Sequence, residues 1–404
     1  MKKALVVLLI LAVAGGVFAQ VTFSGYVRGG IAAYFTDNEA KDAQYFGNRD
    51  VAGGLGTRVH LNASWTHADG NAGLTLQLRG LSNSNNMESG TATGNAFYPH
   101  LYFGWFKALD GMVKIIGGKI DDSEVWGTAG GNDDGMGIGT GMGMNVSVYP
   151  IDGLALRVGA YPLSLTTDPE TGVVGTTLGF TKFATAMYNF GARYLVPDVV
   201  DVIFIYQSVA GVLPDWEKAN NIALGFKVLA LKPMGFSTVN LDFGFYDLTK
   251  INDGDFFTVK LGQKIEYTSG DLLAGIRFLQ QLRIGDTPST YAPDLAFTGF
   301  VQYLVNGTIL PRLDFGFDMG TGIRAANAAD LRGNWDGTNK GGFLDKASNF
   351  VIQPSCSFRF GSSNQRIDLG YALQMDLSDP KADGKVANQA SMRNTVYVSY
   401  YVGW

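Results

Sequence analysis

The chain ends in TVYVSYYVGW, residues 395–404, a run that alternates strictly between two kinds of side chain. Successive side chains of a strand point to opposite faces, so Trp404, Val402, Tyr400, Val398 and Val396 share one face, while Gly403, Tyr401, Ser399, Tyr397 and Thr395 share the other. The first face is uniformly large and apolar, and the second is small or polar. Such a strand separates an apolar phase from a polar one.

The opposite end of the chain indicates where those phases lie. Lys2 and Lys3 precede an apolar run over residues 4–14, and Val17, Phe18 and Ala19 precede Gln20. A short basic region, an apolar stretch and small residues before a cleavage point make a secretory signal peptide, so residues 1–19 are read as a leader and residues 20–404 as one domain. The apolar run is short of the roughly 20 residues that cross a bilayer as a helix, and no later run reaches that length. The expected product is a soluble secreted fold or an outer-membrane barrel.

Composition narrows the choice. Without Lys2 and Lys3, 29 basic residues stand against 36 acidic ones, a formal charge of −7, which argues against nucleic acid as a partner. Cys356 is the single cysteine and can form no internal disulfide, so stability in an oxidising compartment must come from another source, such as a closed hydrogen-bonded barrel. The 54 glycines, with 26 Phe and 18 Tyr, suit sheet and long turns rather than helix. No Pro/Ser linker divides the chain.

The two-residue period recurs throughout. In GTRVHLNASWTH (56–67) Val59, Leu61, Ala63 and Trp65 alternate with Arg58, His60, Asn62 and Ser64, and AGLTLQLRG (72–80), FFTVKLGQKIEY (256–267) and QRIDLGYALQMD (365–376) follow the same rule. Short polar turns such as residues 68–71, 109–111, 151–153 and 306–307 alternate with long Gly/Asn/Asp-rich segments at 81–96, 120–142, 162–182, 320–348 and 377–390. Short periplasmic turns and longer external loops mark an outer-membrane barrel, whereas a soluble sandwich would not place apolar residues outward on every strand. The pattern predicts an all-β transmembrane antiparallel barrel of about eighteen strands. Sixteen is the alternative, because residues 112–119 and 199–209 alternate less cleanly.

On these grounds the chain resembles the Gram-negative outer-membrane porins of the general-diffusion type, and FAQVTFSGYVRGGIAAYF (18–35) resembles spirochaete outer-membrane proteins. The resemblance implies that Tyr400, Val402 and Trp404 form a C-terminal signal for the barrel-assembly machinery, with Trp404 at the periplasmic interface facing outer-membrane lipids. It also implies a homo-trimer and small hydrophilic solutes as cargo.

Strand parity then predicts a basic lumen wall. Arg28, Arg58, Arg79, Arg157, Lys260, Arg277, Arg312 and Arg359 face inward, as do Arg193, Lys227, Lys264, Arg283, Arg366 and Arg393. Fewer acids share that face: Asp201, Asp242, Glu266, Asp314, Asp318, Asp368 and Asp376. In porins the loop after the fifth strand folds inward, and here that segment, DDSEVWGTAGGNDDGMGIGTGMG (121–143), carries Asp121, Asp122, Glu124, Asp133 and Asp134. The resemblance implies that these five acids oppose the basic wall across a constriction, where a transverse field orders water and dipolar solutes. The alternative is a solvated external cap.

Other readings carry less. Tyr26, Tyr102, Tyr161, Tyr246, Tyr397 and Tyr401 have inward parity, which would suit a sugar-guiding aromatic track. His60, Asn62 and Ser64 share a face and match the residue types of an outer-membrane phospholipase triad, but they point to the lumen and span about 13 Å. No dinucleotide fingerprint, histidine metal pair or complete calcium loop is present, so no cofactor and no enzymatic activity is expected. The expected function is a passive channel; a surface protein with a plugged lumen and a sugar- or lipid-specific channel are the alternatives.

Overall fold

Eighteen antiparallel strands close into a ring in the computed structural model, which describes residues 19–36, 44–48, 58–81, 96–120, 141–163, 166–167, 174–175, 187–209, 219–246, 248, 256–285, 294–319, 349–376 and 392–404. In chain order the first strands are β1 (Ala19–Thr36), β2 (Gln44–Asn48), β3 (Arg58–His67), β4 (Ala72–Leu81), β5 (Ala96–Ala108), β6 (Val113–Ile120) and β7 (Gly141–Ile151). Next come β8 (Leu154–Leu163), β9 (Thr166–Thr167), β10 (Val174–Gly175), β11 (Met187–Val196), β12 (Val200–Val209), β13 (Ala219–Val228) and β14 (Phe236–Tyr246). The last are β15 (Phe256–Ser269), β16 (Leu272–Gly285), β17 (Asp294–Tyr303), β18 (Ile309–Met319), β19 (Asn349–Phe360), β20 (Ser362–Asp376) and β21 (Met392–Gly403). Each ring strand pairs with its sequence neighbours, and β1 joins β3 on one edge to β21 on the other. β2 extends the ring by pairing with β1 beyond β3, and β9 and β10 form a separate two-stranded sheet.

The alternation read at the C-terminus sets the two faces of the wall. On β21, Val396, Val398, Tyr400, Val402 and Trp404 are exposed on the outside, whereas Thr395, Tyr397 and Ser399 are buried on the inside. The adjoining β20 repeats this, with Ile367, Leu369 and Tyr371 outward and Asp368 inward. An apolar exterior around a polar interior inverts the arrangement of a water-soluble domain, and it is the pattern of a lipid-facing barrel. Among the described residues no helix is long and apolar enough to cross a membrane.

β6 and β12, whose imperfect alternation left sixteen strands as an alternative, both belong to the ring. Their inward faces carry Ile116, Ile120 and Ile203, all buried, so apolar residues occupy both faces and blur the period. β1 begins at Ala19, opposite His67, one residue inside the segment read as leader; residues 1–18 lie outside the described set.

The start of β1 and the C-terminal Trp404 lie at the end of the barrel that carries the short connections between β3 and β4, β5 and β6, and β7 and β8. Asp and Asn tolerate the left-handed conformation these tight turns need, as at Asp110, Asp198 and Asn306. In the turn after β3 the Asp69 carboxylate accepts the Asn71 backbone N–H at 2.9 Å and meets His67 Nδ1 at 2.7 Å, contacts that hold its carboxyl below the usual range. The long segments 320–348 and 377–390 lie outside the described residues.

The ring closes where the last residue meets the first strand. Gly25 N–H donates to the Trp404 carbonyl at 3.2 Å and Trp404 N–H donates to the Gly25 carbonyl at 3.0 Å. A Cβ at Gly25 would stand 2.4 Å from the His60 carbonyl oxygen and 2.6 Å from the Trp404 indole, so only glycine lets the three strands meet. Gly25→Val is expected to cost at least about 1–3 kcal/mol through overpacking. Heat-modifiable migration of the refolded barrel should show a reduced closed fraction. Adding Trp404→Ala should not restore it, because the His60 carbonyl remains in the way.

Candidate pore-lining site

The inner wall has two unlike halves. From β5 to β11 it is covered: Phe103, Ile116 and Ile120 form a buried apolar cluster with Trp105 packed against it, and Asn145, Ser147 and Asn189 are buried beside it. Arg157 belongs to this half and is only 1% exposed. It faces inward as parity predicts, yet it is enclosed instead of presenting its charge to lumenal water.

From β15 to β20 the wall opens into a recess of about 380 Å³. Lys264, Arg277, Arg312, Arg359 and Arg366 line it, with Glu266 and Asp314 as its carboxylates. Three of the cations carry an acid two residues along their own strand, on the same face: Lys264 with Glu266 at 3.0 Å, Arg312 with Asp314 at 2.6 Å, and Arg366 with Asp368 at 3.2 Å. The repeated pattern of cation, aliphatic and carboxylate in Lys-Ile-Glu, Arg-Leu-Asp and Arg-Ile-Asp was a sequence signal that parity alone passed over.

Arg312 is the most firmly held. Its Nε donates to both Asp314 oxygens at 2.9 and 2.8 Å, and its Nη1 donates to Gln302 Oε1 at 2.8 Å. The guanidinium carbon stands 4.0 Å from the centre of the Phe300 ring. The same ring lies against Gly275, where a Cβ would fall 2.5 Å from it. Around the same wall Arg193 pairs with Asp201 through two hydrogen bonds of 2.8 and 2.6 Å.

Other cations meet without an acid between them. Lys264 stands in register opposite Arg277, and Arg359 opposite Arg366. Like charges placed directly across a strand pair oppose sheet formation. Among the described residues Arg359 has no carboxylate partner, and its buried Nε meets no acceptor. An unmet buried donor costs about 1–3 kcal/mol.

The remaining predicted wall residues are placed as follows. Arg28 lies beside Tyr26, with its guanidinium carbon 5.5 Å from the ring centre, and Arg79 Nε donates to His60 Nε2 at 2.6 Å. Lys260 sits on the inner face of β15, opposite Gln281. Arg58 opens β3 in register with Arg28, but its side chain lies outside the described residues. So do Asp121, Asp122, Glu124, Asp133 and Asp134.

Among the described residues the tyrosines do not form the track that parity suggested. Tyr26 stacks on His60 and Tyr401 at 4.4 and 5.3 Å, a belt laid flat across the wall. Tyr397 is buried over Gly370, and its hydroxyl accepts from Gln353 Nε2 at 3.2 Å. Tyr102 faces outward, a correction with a clear cause. A bulge opposite Gln77 and Leu78 inserts one residue into β5 and flips every side chain after it. The same flip turns Trp105 inward, where Lys107 and Lys114 stand 5.5 and 5.1 Å from its ring centre. Tyr161 and Tyr246 have side chains outside the described residues.

His60, Asn62 and Ser64 do not form a triad. His60 accepts from Arg79, while Asn62 accepts from Gln77 at 2.8 Å and donates to Ser24 at 3.4 Å.

No protein-family model and no curated protein matches the chain. Among solved structures, OpdQ of Pseudomonas aeruginosa is similar at 11% identity over 95% of this chain and 98% of that one, with a TM-score of 0.52. OccK1 (OpdK) of the same organism is similar at 11% identity over 95% and 99%, with a TM-score of 0.53, and OccK3 (OpdO) at 10% over 95% and 96%, with 0.50. The shared feature is the fold of outer-membrane β-barrel channels.

The held pair gives a direct test. Arg312→Gln leaves the Asp314 carboxylate buried without its partner and should lower stability by about 3 kcal/mol. Denaturant unfolding of the detergent-folded barrel reads this, and the added change Asp314→Asn should recover most of the loss.

Proposed function

We propose that this protein is an outer-membrane porin, exported by the leader at residues 1–19, that lets small hydrophilic solutes diffuse through a water-filled lumen with a preference for anions. The observation that carries this reading is the pair of like-charge contacts, Lys264 with Arg277 and Arg359 with Arg366, on the open half of the inner wall. A barrel built for stability alone would place opposite charges in register there. Cations already half-neutralised by Glu266, Asp314 and Asp368 attract a passing anion yet release it, as conduction requires.

On this reading the short-turn end faces the periplasm, and the outward face of Tyr400, Val402 and Trp404 meets lipid and serves barrel assembly. Asp121, Asp122, Glu124, Asp133 and Asp134 would oppose the basic wall. The porin resemblance extends to a homo-trimer. The separate engagement of His60 and Asn62 supports a channel rather than a hydrolase.

A second reading, a surface protein with an occluded lumen, is favoured by the buried inner face at Phe103, Ile116, Ile120 and Arg157. Single-channel recording in a planar bilayer decides between the two. Steady ohmic steps with a chloride-selective reversal potential are expected, and a folded barrel without conductance would favour occlusion. Replacing Arg28 and Arg277 by Gln should reduce the chloride-to-potassium permeability ratio by roughly twofold or more. An unchanged reversal potential would count against the basic wall as the selectivity element.

A further inference from the structure

Building on the channel reading, we infer that the recess between β15 and β20 is a binding subsite for a small dianionic oxyanion, anchored by Arg359. The charges set the stoichiometry. Lys264, Arg277, Arg312, Arg359 and Arg366 stand against Glu266, Asp314 and, behind Arg366, Asp368; among the described residues, five cations facing three carboxylates leave a surplus of two. A ligand with two negative charges balances that surplus, and a monoanion leaves half of it unmet.

The hydrogen-bonding capacity of the recess is unevenly spent. Arg312 is locked by Asp314 and Gln302, Lys264 by Glu266, and Arg366 by Asp368, which also accepts from Ser357. Arg359 has no carboxylate partner among the described residues, and Arg366 stands in register beside it. One ligand that bridges these two positions relieves their mutual repulsion. It also binds its second oxyanion group at the high effective concentration set by the first.

The recess selects against other solute classes. A sugar or an aromatic solute would be held by stacking on a ring face, but the Phe300 ring already carries the Arg312 guanidinium on one face and lies against Gly275. What remains is charge and hydrogen bonding, which suit a tetrahedral oxyanion or a short dicarboxylate.

Calorimetric titration of the detergent-folded full barrel tests this with charge-matched pairs at fixed ionic strength: sulfate against methanesulfonate, and succinate against propionate. In at least one pair the dianion should bind about tenfold or more tightly than the monoanion, as expected for one added charge contact in a partly screened site. Preference confined to sulfate identifies a tetrahedral ligand, and preference confined to succinate a dicarboxylate. Arg359→Gln should cut the discrimination to under about twofold, while Arg359→Lys, which keeps the charge, and Arg79→Gln, outside the recess, should retain it. Equal binding of monoanions and dianions, or full discrimination in Arg359→Gln, overturns the assignment. Because binding is read without current, the two readings separate. Discrimination in a barrel that does not conduct upholds the subsite and removes the passage reading, whereas chloride current without discrimination does the reverse.

Discussion

Everything in this structure depends on closing a ring of backbone hydrogen bonds. A strand edge exposed to hydrocarbon leaves its N–H and C=O groups without partners, at several kcal/mol each, so a sheet in lipid must have no edge. Here the closure falls between β21 and β1, and its final bonds join Trp404 to Gly25. The last residue of the chain therefore has two duties. Its backbone completes the ring, and its indole lies on the outer face over the glycine that makes room for it.

Closure also divides the side chains between two environments, and the inner one is not uniform. The half of the wall from β5 to β11 is buried and largely neutral in effect, with Arg157 enclosed among polar neighbours and Ile116 and Ile120 in an apolar cluster. The half from β15 to β20 is open and basic. On the proposed channel reading that difference sets a field across the lumen, because charges beside an open water path act on solutes, whereas enclosed ones act on the fold. The i, i+2 carboxylates moderate the field, so the cations attract without trapping.

The strands, their faces and their number were readable from alternation, since the two-residue period is a geometric property of any extended chain. The inward basic set was readable for the same reason: Arg28, Arg277, Arg312 and Arg359 lie on the face that parity assigned. Tyr102 was misassigned because parity is a running count, and one inserted residue in β5 inverts all that follows. The apolar inward residues of β6 and β12 hid the period where the wall is covered.

Residue order in this chain decided that it would be a barrel, which face of each strand would meet the apolar phase, and where the ring could close. These follow from local rules, namely the pleat of a strand and the conformational freedom of glycine. It did not decide which inward charges would do the work. Arg157 and Arg359 are alike in type and parity, yet one is enclosed and the other lines the recess in register with Arg366. That distinction arises only when strands distant in sequence are set in register. Burial and cross-strand charge pairing are properties of neighbours in space, which no single strand contains.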